Sequence, residues 1–333
     1  MPGPTRARLT TAARYLLAAL LLTWILGRMD LELFLRACAQ TAPWVVPFAV
    51  VTYYLLTALQ AVRWWLTQRP FAPGLSCRAS IASHFLAGTY SVALPSSVAQ
   101  DVVRTTMVSK QVGYGPGWGA AWVNRIVGLL AWLVLCLVGL GLNDRTLAPA
   151  VAARAVATSL LVLAALVSLS FSKAVTRPVR ALASRVLPRK AVAVIETVRQ
   201  AVYVYRSRPA VLLGSAGLAL GVELCFVLCS AATVYGISGT FPLVPFLLLF
   251  PLIEIVVIAL PLTPGGLGLR EGLTVTALAR LGLTPEETGL YAALSLLGLA
   301  LKALGGVPFL LWNRWRVTPG DAPPSRGEPG ETD

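Results

Sequence analysis

Residues 12–27, 42–62, 118–141, 149–172, 209–235 and 288–312 are apolar runs that no wetted protein surface accommodates. Each is at or near the ~20 residues an α-helix needs to cross the hydrocarbon core of a bilayer. They occupy so much of the 333 residues that no stretch remains for a soluble catalytic domain. Charged residues make up 13% of the chain, against roughly 25% in a soluble domain whose folded surface must be hydrated. The fold class is therefore all-α and polytopic, with about six full transmembrane helices.

Two further apolar regions, about 80–96 and 241–283, are broken. The first runs from His84 into Pro95-Ser96-Ser97, and the second into Pro261-Leu-Thr-Pro264-Gly265-Gly266-Leu-Gly268. Proline removes an amide donor and glycine loosens the helix, so the backbone there exposes polar groups that lipid cannot satisfy. Such breaks survive only when buried in protein or lining a wet cavity, so both regions read as re-entrant. Most of the 28 Lys and Arg residues cluster at 6–14, 63–78, 173–208 and 314–326. The positive-inside rule then puts both termini in the cytoplasm, and each broken region turns back to the side it came from. Arg63 counts as cytoplasmic on this reading.

This topology exposes a repeat. Each half reads span, span, broken region, span, and the halves, about 12–143 and 146–312, run in inverted orientation. Ala93-Leu94-Pro95 leads to Asp101 and Arg104, and Ala259-Leu260-Pro261 leads to Arg270 and Glu271. The integral membrane domain covers 1–313. It includes a cytoplasmic amphipathic segment at 173–208, in which Ile195, Val198, Val202 and Tyr205 share one helical face suited to the inner leaflet. The Pro- and Gly-rich stretch 314–333 is expected to be a disordered cytoplasmic tail. Tyr15–Gly27 imitates a signal peptide, but Ala37-Cys38-Ala39 lies too far beyond it for cleavage, so an uncleaved first span is expected.

The net charge of +14 belongs to cytoplasmic loops facing anionic lipid, not to nucleic-acid binding. The five cysteines form no CxxC pair. Cys225 and Cys229 read as small apolar filler within a span. Trp24, Trp44, Trp64, Trp65, Trp118, Trp312 and Trp315 read as an interfacial belt. Enzyme signatures are missing: His84 is the single histidine, Ser215 has no visible base, and no Asp-rich metal-diphosphate motif occurs. The expectation is a protein that is not an enzyme and needs no cofactor or metal.

Ionisable groups at membrane depth are costly and tend to be functional. They comprise Asp101, Arg104, Arg270 and Glu271, with Glu223, Glu254, Arg125 and Lys302 as secondary candidates. Helix gluing and interfacial snorkelling compete with function for each of them. Asp101 and Arg104 stand at i, i+3 and can pair. Arg270 and Glu271 are adjacent, so each must find a partner elsewhere, across the two repeats. Pro264, Gly265, Gly266 and Gly268 before Arg270 allow a turn with exposed amides ahead of a helix N-terminus, suited to a phosphate or carboxylate. Pro95, Ser96 and Ser97, with Gln100, supply the matching break with hydroxyl and amide groups.

At these residues the chain resembles the flippase-like transmembrane family that includes the membrane part of bacterial lysylphosphatidylglycerol synthase. The resemblance rests on Leu94-Pro-Ser-Ser-Val-Ala-Gln-Asp101-Val-Val-Arg104, on Pro261-Leu-Thr-Pro264-Gly-Gly-Leu-Gly268-Leu-Arg270-Glu271-Gly272, and on Ala61-Val-Arg63-Trp64. One departure is Ala99-Gln100, where family members often carry Gly-Gly before the Asp. The resemblance implies a lipid or lipid-linked headgroup translocase of the cytoplasmic membrane. Its partners would be phospholipid or polyprenyl-phosphate-linked lipids, with a membrane enzyme as a further possible partner. The rival readings are a secondary transporter of a small ionic solute and a non-transporting accessory protein of a synthase or glycosyltransferase.

Overall fold

The structure, a computed structural model, describes residues 31–92, 99–142, 189–259, 263 and 267–311, with single helical positions between 153 and 168. The span expected at 12–27 and the tail at 314–333 lie outside the described residues, as does nearly all of 149–172. Pro95, Ser96, Ser97, Pro264, Gly265 and Gly266 also lie outside them. Among the described residues every regular element is a helix. In chain order these are α1 (Leu31–Gln40), α2 (Val45–Gln68), α3 (Cys77–Val92), α4 (Ala99–Val112), α5 (Tyr114–Gly141) and α6 (Arg189–Val204). They continue with α7 (Pro209–Ser238), α8 (Leu243–Ala259), α9 (Leu269–Arg280), α10 (Pro285–Gly305) and the short α11 (Val307–Leu311).

Four stretches are long and apolar enough to cross a membrane: Val45–Gln68, Tyr114–Gly141, Pro209–Ser238 and Pro285–Leu310. They correspond to the runs at 42–62, 118–141, 209–235 and 288–312. Local chemistry sets their ends. Pro209 stands in the first turn of α7, where its missing N–H is no loss, and Gly239 ends the helix at φ 73°, a left-handed conformation glycine adopts freely. Thr284 and Glu287 cap the start of α10 reciprocally. Between the long helices lie the two broken regions: α3 and α4 flank one break, α8 and α9 the other.

Packing follows the same order twice. Exchanging α2 with α7, α3 with α8, α4 with α9 and α5 with α10 maps the principal contacts onto one another. Thus α2 packs on α3 as α7 packs on α8, and α3 on α4 as α8 on α9. Across the halves, α3 packs on α10 as α8 packs on α5, and α2 meets α7 directly. Even the helices preceding each long span correspond, since α1 packs on α10 and α6 on α5.

Glycines permit two equivalent close approaches. A Cβ on Gly139, near the end of α5, would sit 2.8 Å from the Leu247 backbone of α8. A Cβ on Gly306, just past α10, would sit 3.0 Å from the Leu86 Cα of α3.

In the segment before α7, part of the expected apolar face packs against protein: Val202 and Tyr205 are fully buried and Val198 is half-buried, while the Ile195 side chain lies outside the described ones. Gly115 and Gly119 let α5 come close enough to meet α6, and a Cβ on Gly119 would reach within 2.5 Å of the Ala201 Cβ. Beyond α6, the Tyr205 hydroxyl donates to the Thr67 carbonyl at the end of α2, and burial pushes its phenol pKa up. Asn124 Nδ2 donates to Thr67 Oγ1 at 2.6 Å, so α2, α5 and the α6–α7 joint meet in one polar knot.

Candidate substrate cavity

A cavity of about 500 Å³ opens where the two halves meet. This is within the roughly 300–1,000 Å³ of small-ligand sites. Its wall is built from helical stripes. On α2, Tyr53, Thr57 and Gln60 fall at i, i+4 and i+7 and face inward. On α7, Glu223, Phe226, Ser230 and Thr233 fall at i, i+3, i+7 and i+10 and do the same. Gln100 and His84 come from the first broken region, and Glu254, Arg270 and Glu271 from the second. From α10 come Tyr291, Ser295 and Lys302, while Phe48, Phe85, Trp132, Leu294 and Leu297 make the rest apolar.

Each helix–break–helix unit is tied across its break by side chains. In the first, Arg104 Nη1 lies 3.3 Å from His84 Nδ1, and the Gln100 amide lies 3.3 Å from His84 Nε2. A guanidinium can only donate, so Nδ1 must accept, and the ring is the neutral tautomer with its proton on Nε2. The Gln100 amide nitrogen is the atom placed at Nε2, and with the proton there a hydrogen bond requires the flipped amide, its oxygen accepting from Nε2–H. In the second unit, Arg270 Nε and Nη2 donate to the two Glu254 carboxylate oxygens at 2.6 and 2.9 Å. This bidentate pair fixes the orientation of both planes.

Arg270 thus finds its partner on the preceding helix of its own half, not across the repeats. Glu271 does not cross either. Its Oε2 accepts from the Gly268 N–H at 2.6 Å, forming the capping arrangement of α9 with Gly268 at φ 76°. A carboxylate already sits at that helix N-terminus, where an external anion was expected to bind.

Asp101 and Arg104 pair as their spacing predicts, with Arg104 Nη2 2.5 Å from Asp101 Oδ1. Arg125 from α5 adds Nε at 2.6 Å to the other Asp101 oxygen. The Arg104 guanidinium also lies over the Trp64 ring, 4.1 Å from its centroid, a cation–π contact. Neither Asp101, Arg104 nor Arg125 lines the cavity; they lie behind Gln100 and His84, and hold the first broken region in place. Trp64 is fully buried and so no part of an interfacial belt.

Arg63 corrects the charge count. It stands inside the bundle beside Gly128 of α5, with Nε and Nη1 buried and lacking hydrogen-bond partners among the described residues. Of the secondary candidates, Glu223, Glu254 and Lys302 reach the cavity. Sequence reasoning passed over Tyr53, Thr57, Gln60, Ser230 and Thr233 because it looked for charge. Their helical spacing within apolar runs was the available signal.

Long apolar helices packed in two equivalent sets around an internal polar cavity define a multi-pass membrane protein. The sequence profile described as the lysylphosphatidylglycerol synthase TM region matches residues 11–317, nearly the whole chain. The chain belongs to that family. No curated protein gives a significant match.

Proposed function

We propose that the protein translocates a lipid headgroup between the leaflets of the cytoplasmic membrane, acting as a carrier and not as an enzyme. The observation that carries this reading is the cavity itself: a polar, charged chamber between the two broken regions, with aromatic and aliphatic wall segments beside it. A headgroup needs hydration or substitutes for it when it crosses, and Gln60, Gln100, Ser230, Thr233 and Ser295 offer neutral hydrogen-bonding groups there. Acyl chains remain in lipid, so the protein need enclose only the headgroup.

The two breaks are re-entrant on this reading and the halves are inverted, with both termini cytoplasmic. Rocking of one half against the other about the α2–α7 contact exposes the cavity to each side in turn. The Arg270–Glu254 pair holds α8 and α9 as one body during that motion, so its loss uncouples the break from the helix before it.

The test is lipid exchange in liposomes containing purified protein, read with fluorescent lipids and a membrane-impermeant quencher. Wild-type protein accelerates exchange over empty liposomes, and Arg270→Ala abolishes the acceleration. Arg270→Lys restores little, because an ammonium cannot make the bidentate pair. Absence of exchange with anionic, zwitterionic and polyprenyl-phosphate lipids alike would exclude translocation.

A further inference from the structure

Five carboxylate, ammonium or guanidinium side chains line the cavity: Glu223, Glu254, Arg270, Glu271 and Lys302. Three are committed to partners within the protein. Glu254 and Arg270 hold each other, and Glu271 holds the Gly268 amide. Glu223 and Lys302 remain. Neither makes a hydrogen bond through its charged group or an ion pair to any described residue.

The opposite charges around them act from a distance and form no ion pair with either. Arg63 exerts the main attractive field on Glu223, but it is no part of the cavity lining and makes no ion pair with it. Asp101 is the carboxylate that acts on Lys302, and both its oxygens are taken by Arg104 and Arg125. The Lys302 stem runs over Gly88 of α3, where a Cβ would make ordinary van der Waals contact with the Lys302 Cγ at 3.5 Å. One carboxylate and one ammonium, on α7 and α10, thus face a single chamber with no counter-ion bound to either. A buried charge held without a partner is costly, and a ligand bringing the opposite charge removes that cost.

We infer that the cavity is built for a zwitterionic phospholipid headgroup, one phosphate and one ammonium, with Lys302 taking the phosphate and Glu223 the ammonium. This deepens the translocation reading and rests on it for the lipid source. A purely anionic headgroup leaves Glu223 unpaired and repelled, and a headgroup with two ammonium groups brings one more than the single carboxylate not already held by a partner, Glu223. Lysine suits the phosphate end as a compact point charge that tolerates a ligand sliding past.

Binding to detergent-purified protein tests the chemistry independently of transport. The probes are glycerophosphoethanolamine (zwitterionic), glycerophosphoglycerol (anionic), ethanolamine (cationic) and a free amino acid, titrated by calorimetry. Glycerophosphoethanolamine binds tightest. Glu223→Gln weakens it about tenfold or more, the loss of one charge-assisted contact, while leaving glycerophosphoglycerol unchanged or stronger. Lys302→Met weakens both phosphodiesters, and Glu223→Asp keeps the zwitterion preference. Equal binding of the two phosphodiesters to wild-type protein overturns the inference without recourse to any variant. So does a Glu223→Gln effect that is the same for both. Tighter binding of the amino acid than of either phosphodiester overturns the phospholipid assignment in favour of a soluble zwitterion.

Proteoliposome exchange of fluorescent phosphatidylethanolamine, phosphatidylglycerol and lysylphosphatidylglycerol separates the two readings. Exchange without headgroup preference leaves translocation standing and removes the zwitterion assignment. Zwitterion-selective binding without exchange of any lipid does the reverse.

Discussion

Asp101 holds two guanidiniums at once, so its substitution reaches beyond its own helix. Removing its charge leaves the buried Arg104 and the half-buried Arg125 without their shared carboxylate, and breaking a buried pair such as Asp101–Arg104 costs about 3–5 kcal/mol. Asp101→Asn is therefore expected to melt well below wild type in detergent, followed by intrinsic tryptophan fluorescence, with lost transport as a consequence of lost structure. An unchanged melting temperature together with lost exchange would instead make Asp101 a substrate ligand. The Asp101–Arg104 pair was legible in sequence because three residues on a helix bring side chains together. Arg125 joins from 24 residues away, and Glu254 reaches Arg270 from 16, across a break. Spacing rules do not extend across a break, which is why a partner for Arg270 was sought in the wrong half. Arg63 was misplaced for another reason: charge counting treats any arginine at the end of an apolar run as wetted.

At the scale of elements, the close crossings depend on atoms that are missing. Gly139 meets the backbone of α8, which has no rotamer to shift, so Gly139→Ala forces the two helices apart. Overpacking of this kind costs typically about 1–3 kcal/mol. The expected outcome is a lower melting temperature, with Gly141→Ala, where a Cβ meets open space, as an unaffected control. Equal melting of the two variants would show that the α5–α8 crossing is looser than described. The long helices were legible because hydropathy over ~20 residues has one structural solution in lipid. The docking of α6 was not, because an apolar face looks the same whether lipid or protein covers it. What decides is on the partner: Gly115 and Gly119 are one turn apart on α5, a small-xxx-small pattern that lets a second helix approach.

At the scale of the whole molecule, the exchange of packing partners between halves makes a claim about sides. If the halves are inverted, α1 and α6 lie at opposite faces of the membrane. Cys38 on α1 and Ser207 just after α6 are both exposed, so they serve as reporters. A membrane-impermeant thiol reagent added outside intact cells is expected to label Cys38. It should spare Ser207→Cys in a protein whose other cysteines are replaced, until the membrane is permeabilised. Labelling of both positions from outside would mean parallel halves, and the charge-derived topology would fail with it.

The pairing of α3 with α10 also bears on how the protein is made. The chain leaves the ribosome at about 5–20 residues per second, so α10 follows α3 by roughly 10–40 s. During that interval the first broken region, with its histidine and arginines, is in or near the bilayer without the helix that later covers it. The Asp101–Arg104–His84 cluster is complete within the first half, with Arg125 supplied by α5, and so can neutralise that region early. The second half has no such wait, since α5 is already in place when α8 emerges. Nascent chains stalled before α10 are thus the stage at which insertion factors or membrane proteases would meet this protein.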